Sequence, residues 1–172
     1  FHTNAQAYSL GAALYAGGTC VVTPRFSSSR FWPTSLKHGC TFASMIAFCT
    51  RALMAHDVPA DHTYRMWGGA VCEPPTDAHF GVRTLGWWGM TETMTHGIVG
   101  DVYHRNRSMM IGKAAPEYGI AVIDDNGAPA APGEVGHLLV QGTRGLSLFK
   151  EYLDNPQATA DAFDEQGWFV TG

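Results

Sequence analysis

The sequence predicts an α/β fold, a parallel sheet with flanking helices followed by a small antiparallel β subdomain. Two observations carry that expectation. Before Ile111, short apolar runs alternate with stretches of helical periodicity, the pattern of a parallel sheet covered on both faces. Past Ile111 the helical periodicity fades, and runs of alternating polarity punctuated by turn residues replace it. The expected division is 1–110 for the α/β part and 111–172 for the β-rich part, with the boundary near Ser108 to Gly112.

From Asn4 to Tyr15, small and apolar residues recur at helical spacing, and Gly17-Gly18 supplies a stop. Thr19 to Thr23 reads as a short strand. Ser27 to Ser29 offer N-caps for a helix through Phe31 to Lys37, which puts Pro33 in the first turn, where a missing N–H costs least; Gly39 ends it. Cys40 to Ala43 is a further strand, and Met45 to His56 a helix whose Ile46, Cys49, Leu53 and Met54 form an apolar stripe. Tyr64 to Trp67 makes the next strand, broken by Gly68-Gly69, and Val82 to Trp87 another, leading into Gly89-Met90-Thr91-Glu92. Ligands of parallel sheets collect at loops after strand C-termini, and both glycine-bearing turns fall at that edge. Further on, Tyr118 to Asp124 and Gly136 to Gln141 read as strands, with Asp124 to Gly127 a turn. Asn155 to Phe163 reads as a helix capped by Asp154 or Asn155.

Bulk properties narrow the function classes. At 45% hydrophobic and 12% aromatic the chain has the composition of a globular protein. Fifteen acidic against eleven scattered basic residues give a net charge of −4, which argues against nucleic acid as a partner. Apolar runs such as Ala43 to Phe48 fall far short of the roughly 20 residues that span a bilayer, and a cytoplasmic protein is expected. The four cysteines form no C-x-x-C pair and read as buried free thiols. A start at Phe1 and an end at Trp168 to Gly172 suggest a piece of something longer.

The segment Gly86 to Thr93, G-W-W-G-M-T-E-T, is the richest in chemistry. An aromatic can stack on a purine, Gly89 lets backbone approach a phosphate, Thr91 can donate to a phosphate oxygen, and Glu92 can hold a hard cation. On residue chemistry alone, a tight turn with two core tryptophans and a solvated Glu92 stays equally open. Glu92 and His96 lie four apart, yet no third ligand at a supporting spacing points to zinc. Asp124 to Gly127 lacks the later Glu of a calcium loop and is read as a hairpin turn; His104 to Arg107 is read as a solvated loop, with a role facing phosphates as the alternative.

The G-M-T-E run after an aromatic resembles the signature turn of the adenylate-forming superfamily of acyl-CoA synthetases, luciferases and peptide-synthetase adenylation domains. Phe1-His2-Thr3-Asn4 is similar to the upstream F-H motif of that family, and Gly68-Gly69-Ala70 to its G-G-A turn. Gly133 to Leu138 with Gly142 and Glu151-Tyr152 resembles its G-E-x-x-x-x-x-G segment and following tyrosine. Gly167 to Gly172 resembles its G-W-x-x-T-G-D motif without the Asp. Phe149 to Ala160 and the F-H-x-N-A-Q opening are especially similar to the carnitine and crotonobetaine CoA ligase branch.

The resemblance implies part of the large N-terminal domain of an AMP-forming acyl-CoA synthetase. Its substrates would be ATP, CoA and a small carboxylic acid, with Mg2+ as the metal and AMP as a product. Trp88 would lie on adenine, Thr91 contact the α-phosphate and Glu92 bind magnesium; Gly68, Gly69, Ala70, Trp87, Gly89 and Met90 would line the nucleotide and acyl sides, and His2 would sit near the reacting carboxylate. Trp88 stands where the family commonly has Tyr, Trp87 replaces a smaller polar residue, and Val71 to Phe80 is short and proline-bearing where the family has a longer helix. The family's phosphate loop, ribose-binding Asp, hinge and catalytic Lys fall outside Phe1 to Gly172, so the chain by itself is expected to be inactive. An adenylation domain loading a carrier protein, and a non-catalytic nucleotide-binding module, are the alternatives.

Overall fold

A computed structural model describes residues 2–172, so Phe1 of the F-H pair lies outside the described residues. The chain forms two compact units, one made of Phe1–Trp88 and Ile98–Lys113, the other of Gly89–Gly97 and Ala114–Gly172. Among the described residues no helix is long and apolar enough to cross a membrane.

In the first unit a wide helix with i→i+5 bonding, Asn4–Gly11, runs into α1 (Ala12–Tyr15). Then follow α2 (Ser28–His38), β1 (Phe42–Ser44), α3 (Ala47–Leu53), β2 (Met66–Gly69), α4 (Pro74–Phe80), β3 (Arg83–Trp88) and β4 (Ile98–Val99). β1, β2 and β3 pair in parallel and β4 adds to β3 antiparallel, so the expected parallel sheet is mixed at one side; β5 (Lys113–Ala114) ends the strand order. Trp32, Leu53, Tyr64, Trp67, Phe80 and Val82 form the buried core, with Phe31 stacked on Tyr64 at 5.6 Å. Fully burying side chains of this size stabilises by roughly 2–3 kcal/mol each, before the entropy of ordering them is counted.

Several local expectations shift. Thr19–Thr23 forms no ladder with any described strand, because an apolar run becomes a strand only where a partner takes its backbone bonds. α2 begins at Ser28, with Ser27 as cap, and Gly39 closes it in the left-handed region, φ 58°. That earlier start leaves Pro33 inside the helix rather than in its first turn, so the Ser29 carbonyl has no amide four residues on. Burial of Trp32 and Ser35 on the same helix offsets the loss. α3 is only two turns long, and of the predicted stripe Leu53 is fully buried while Ile46 and Met54 are exposed. α4 was hidden by its prolines, yet Pro74 and Pro75 open the helix where no N–H is needed.

Gly68 and Gly69 do not break β2 but belong to it, in register with Leu85 and Gly86 of β3. The reason for Gly68 is steric: a Cβ there would fall 1.8 Å from the Trp87 indole. Gly86 is similarly enforced, since a Cβ would meet the Met110 carbonyl at 2.3 Å.

The second unit holds β6 (Gly119–Ile123), β7 (His137–Gln141) and β8 (Phe169–Val170) in one antiparallel sheet, with α5 (Pro156–Asp161) between the last two. Asp124 Oδ1 accepts from the amides of Asn126 and Ala128 at 2.8 and 2.9 Å, which builds the predicted hairpin turn. Asn155 caps α5, accepting from Ala158 N at 3.1 Å.

Candidate functional site

The Gly86–Thr93 motif straddles the two units. β3 carries Trp87 and Trp88 as its last residues, paired with Val99 and Ile98, and the chain then enters the second unit at Gly89. Alternation along the strand sends the two indoles to opposite faces. Trp87 lies against Gly68, with the rings of Tyr8 at 5.4 Å and Phe42 at 5.8 Å. Trp88 is half-buried.

Gly68, Gly69 and Ala70 wall a small cavity of about 40 Å³ together with Met45, Trp67 and Thr84. The Met45 amide donates to Gly68 O at 2.7 Å, tying the end of β1 to this rim. His2 is exposed, and its Nδ1 accepts from the Asn4 amide at 3.2 Å. Asn4 in turn takes the Ser44 hydroxyl through Oδ1, so the opening motif is fastened to the end of β1.

In the second unit Met90 is extended and Thr91–Thr93 forms one 3-10 turn. Thr93, fully buried, closes it. Its hydroxyl accepts from Met90 N at 3.0 Å and has the carbonyls of Met90 and Thr95 in donor range at 3.0 and 2.9 Å. Met94 follows at φ 55°, ψ −38°, a conformation a β-carbon disfavours and one that costs roughly 1–3 kcal/mol. The Tyr118 hydroxyl bonds to the Thr93 carbonyl and lies 2.9 Å from Ser147 O and 3.0 Å from Thr95 Oγ1. A strained turn held by such a network is fixed in shape, with Thr91 exposed and Glu92 half-buried upon it.

Glu92 is held at two points. Its carbonyl accepts from the Phe149 amide at 2.7 Å, and its Oε1 accepts from the Tyr152 hydroxyl at 2.8 Å. Burial, then the bond to Glu92, pushes the Tyr152 phenol up, so it stays protonated and donates at neutral pH. Burial lowers His96 to about 4, so its imidazole is neutral at pH 7 and adds no charge. The sequence reading quoted Tyr152 only as part of a motif, and missed the structural parts of Thr93 and Tyr118. The Thr93 bonds to Met90 and Thr95 are local, whereas Tyr118 and Tyr152 reach their partners Thr93 and Glu92 across 25 and 60 residues, which no local pattern signals.

Among the described residues no three His, Cys, Asp or Glu gather as a closed metal cage. The donor set instead suits magnesium, which takes one or two carboxylates and completes its shell with phosphates and waters. Oε1 of Glu92 accepts from Tyr152, and among the described residues no donor is on Oε2.

The family described as AMP-binding enzyme matches residues 1–153. The chain belongs to the AMP-binding enzyme family. Among curated members, the crotonobetaine/carnitine–CoA ligases of Shigella flexneri and Escherichia coli are 36% identical over 181 aligned residues, covering 100% of this chain and 35% of theirs. The chain spans about a third of the length of the curated relatives it matches. Two solved structures share its fold at 21% identity and a TM-score of 0.86: an anthranilate CoA ligase in complex with anthranoyl-AMP and a benzoate CoA ligase from Burkholderia xenovorans. Each alignment covers 99% of this chain, and 34% and 36% of theirs respectively.

Proposed function

We propose that this chain is the nucleotide-handling segment of an ATP-dependent, AMP-forming acid–CoA ligase that works in the cytoplasm on a small carboxylic acid. The observation that carries the reading is the Thr91–Thr93 turn, which carries an exposed threonine and a clamped carboxylate on adjacent residues. In the reaction, an oxygen of the acid attacks the α-phosphorus of ATP. The bond to the bridging oxygen breaks, giving acyl-adenylate and pyrophosphate; the thiol of CoA then attacks the acyl carbon and AMP leaves.

Charge decides the first step, because a carboxylate and a polyphosphate repel. Thr91 would donate to an α-phosphate oxygen. Glu92 would hold Mg2+, which when bound neutralises phosphate charge. Trp88 would offer its indole face to adenine, with Gly89 and Met90 backbone beside it; Gly68, Gly69 and Ala70 would line the nucleotide and acyl sides, Trp87 would narrow the acyl side, and His2 would lie near the acid. The 36% identity to crotonobetaine/carnitine–CoA ligases favours a short, betaine-like acid.

Incubating the complete polypeptide with ATP, Mg2+, CoA and a panel of short-chain, betaine-like and fatty acids tests this. Acyl-CoA and AMP should form, fastest with betaine-like acids. Turnover of long-chain acids alone would contradict the substrate class. The segment Phe1–Gly172 by itself should form no adenylate.

A further inference from the structure

We propose that Tyr152 is the positioning residue for Glu92, orienting its carboxylate so that Oε2 is presented to the divalent cation. The inference rests on the proposed role of Glu92 and adds a residue to it. Five contacts support it. The phenol donates to Oε1 at 2.8 Å, while the amide of Phe149, three residues earlier, fixes the Glu92 carbonyl at 2.7 Å. One short stretch, F-K-E-Y, therefore grips both the main chain and the side chain of Glu92. Tyr152 is itself immobilised: its amide donates to Thr159 Oγ1 at 2.9 Å, and its ring lies 4.7 Å from that of Phe149. Thr159 is buried and donates onward to Asn155 O at 2.8 Å.

A glutamate side chain has three rotatable bonds, and a monodentate cation ligand loses affinity when it samples all of them. A donor on one carboxylate oxygen removes that freedom and leaves the other oxygen to coordinate. Such outer partners of metal ligands commonly alter metal affinity 10–100-fold. The clamp also explains why a site with a single carboxylate is adequate: the ligand is pre-oriented before the nucleotide arrives.

The test is Mn2+ binding, read by electron paramagnetic resonance on the complete polypeptide with a non-hydrolysable ATP analogue. Tyr152→Phe removes one hydroxyl and keeps the ring on Phe149, so the thermal midpoint should stay put while Mn2+ affinity falls roughly tenfold. Glu92→Gln is the reference. The double variant should lose no more than Glu92→Gln alone, because the phenol acts only through that carboxylate. Weak binding in Glu92→Gln with wild-type binding in Tyr152→Phe would overturn the positioning role and leave that of Glu92 standing. Wild-type binding in Glu92→Gln would overturn the underlying reading instead. A Tyr152→Phe loss that persists undiminished on the Glu92→Gln background would also refute positioning.

Discussion

At Gly68, a hydrogen in place of a methyl lets an indole rest on the strand. A Cβ would meet the Trp87 ring at 1.8 Å, and that ring is already confined by Tyr8 and Phe42, so it cannot simply swing away. Gly68→Ala should therefore destabilise the first unit by about 1–3 kcal/mol, the usual cost of overpacking. Combined with Trp87→Ser it should lose less than the sum of the two, which denaturant midpoints of the four proteins would reveal. Equal and additive losses would separate the pair. The glycines were legible in the sequence as a turn, but the role of Gly68 was not, because it depends on a side chain nineteen positions downstream that reaches it only once β2 and β3 pair. Glu92 and Thr91 could be picked out from residue chemistry; Tyr152 could not be paired with Glu92, since no periodicity links positions 60 apart.

Elements were more legible than residues where local chemistry decides them. Asn155 was one of two predicted caps, and its side chain does accept from Ala158 N. Asn155→Ala should cost about 1 kcal/mol of stability, seen as a lower denaturation midpoint of the second unit; no change would mean that packing alone holds α5. The antiparallel β6–β7 pair followed its period-2 pattern, and the Asp124 to Gly127 turn followed its turn residues. Elements set by tertiary partners were misread. Pro33 sits inside α2 because the helix starts at Ser28, directly after the first of the three serines offered as caps, and Thr19–Thr23 stays out of the sheet because no described strand pairs with it. α4 lies in Val71 to Phe80, which the sequence marks only as short and proline-bearing, and two prolines at the head of a helix assist it.

For the molecule as a whole, pH reports on the aromatic core. Burial pushes Tyr64 up to about 12, partly offset by its bond to Ser35 at 2.6 Å. Because the folded value lies above the unfolded 10.0, this stabilisation is complete below pH 10 and is lost as pH rises through about 12. The difference between 10.0 and about 12 corresponds to about 3 kcal/mol. Unfolding free energy should fall over that window, with one phenol ionising late in the ultraviolet titration; Tyr64→Phe should flatten the fall. The fold class was readable from hydrophobic periodicity and the family from ordered motifs, and the family matches over residues 1–153. The chemistry proposed for the whole protein turns on one carboxylate. Its most direct test is acid-dependent ATP–pyrophosphate exchange by the complete polypeptide, wild type against Glu92→Gln. Exchange that requires Mg2+ and falls roughly 100-fold or more in the variant, the scale of a lost electrostatic stabiliser, at an unchanged melting temperature, is the predicted result. Exchange at the wild-type rate without the Glu92 carboxylate would contradict it.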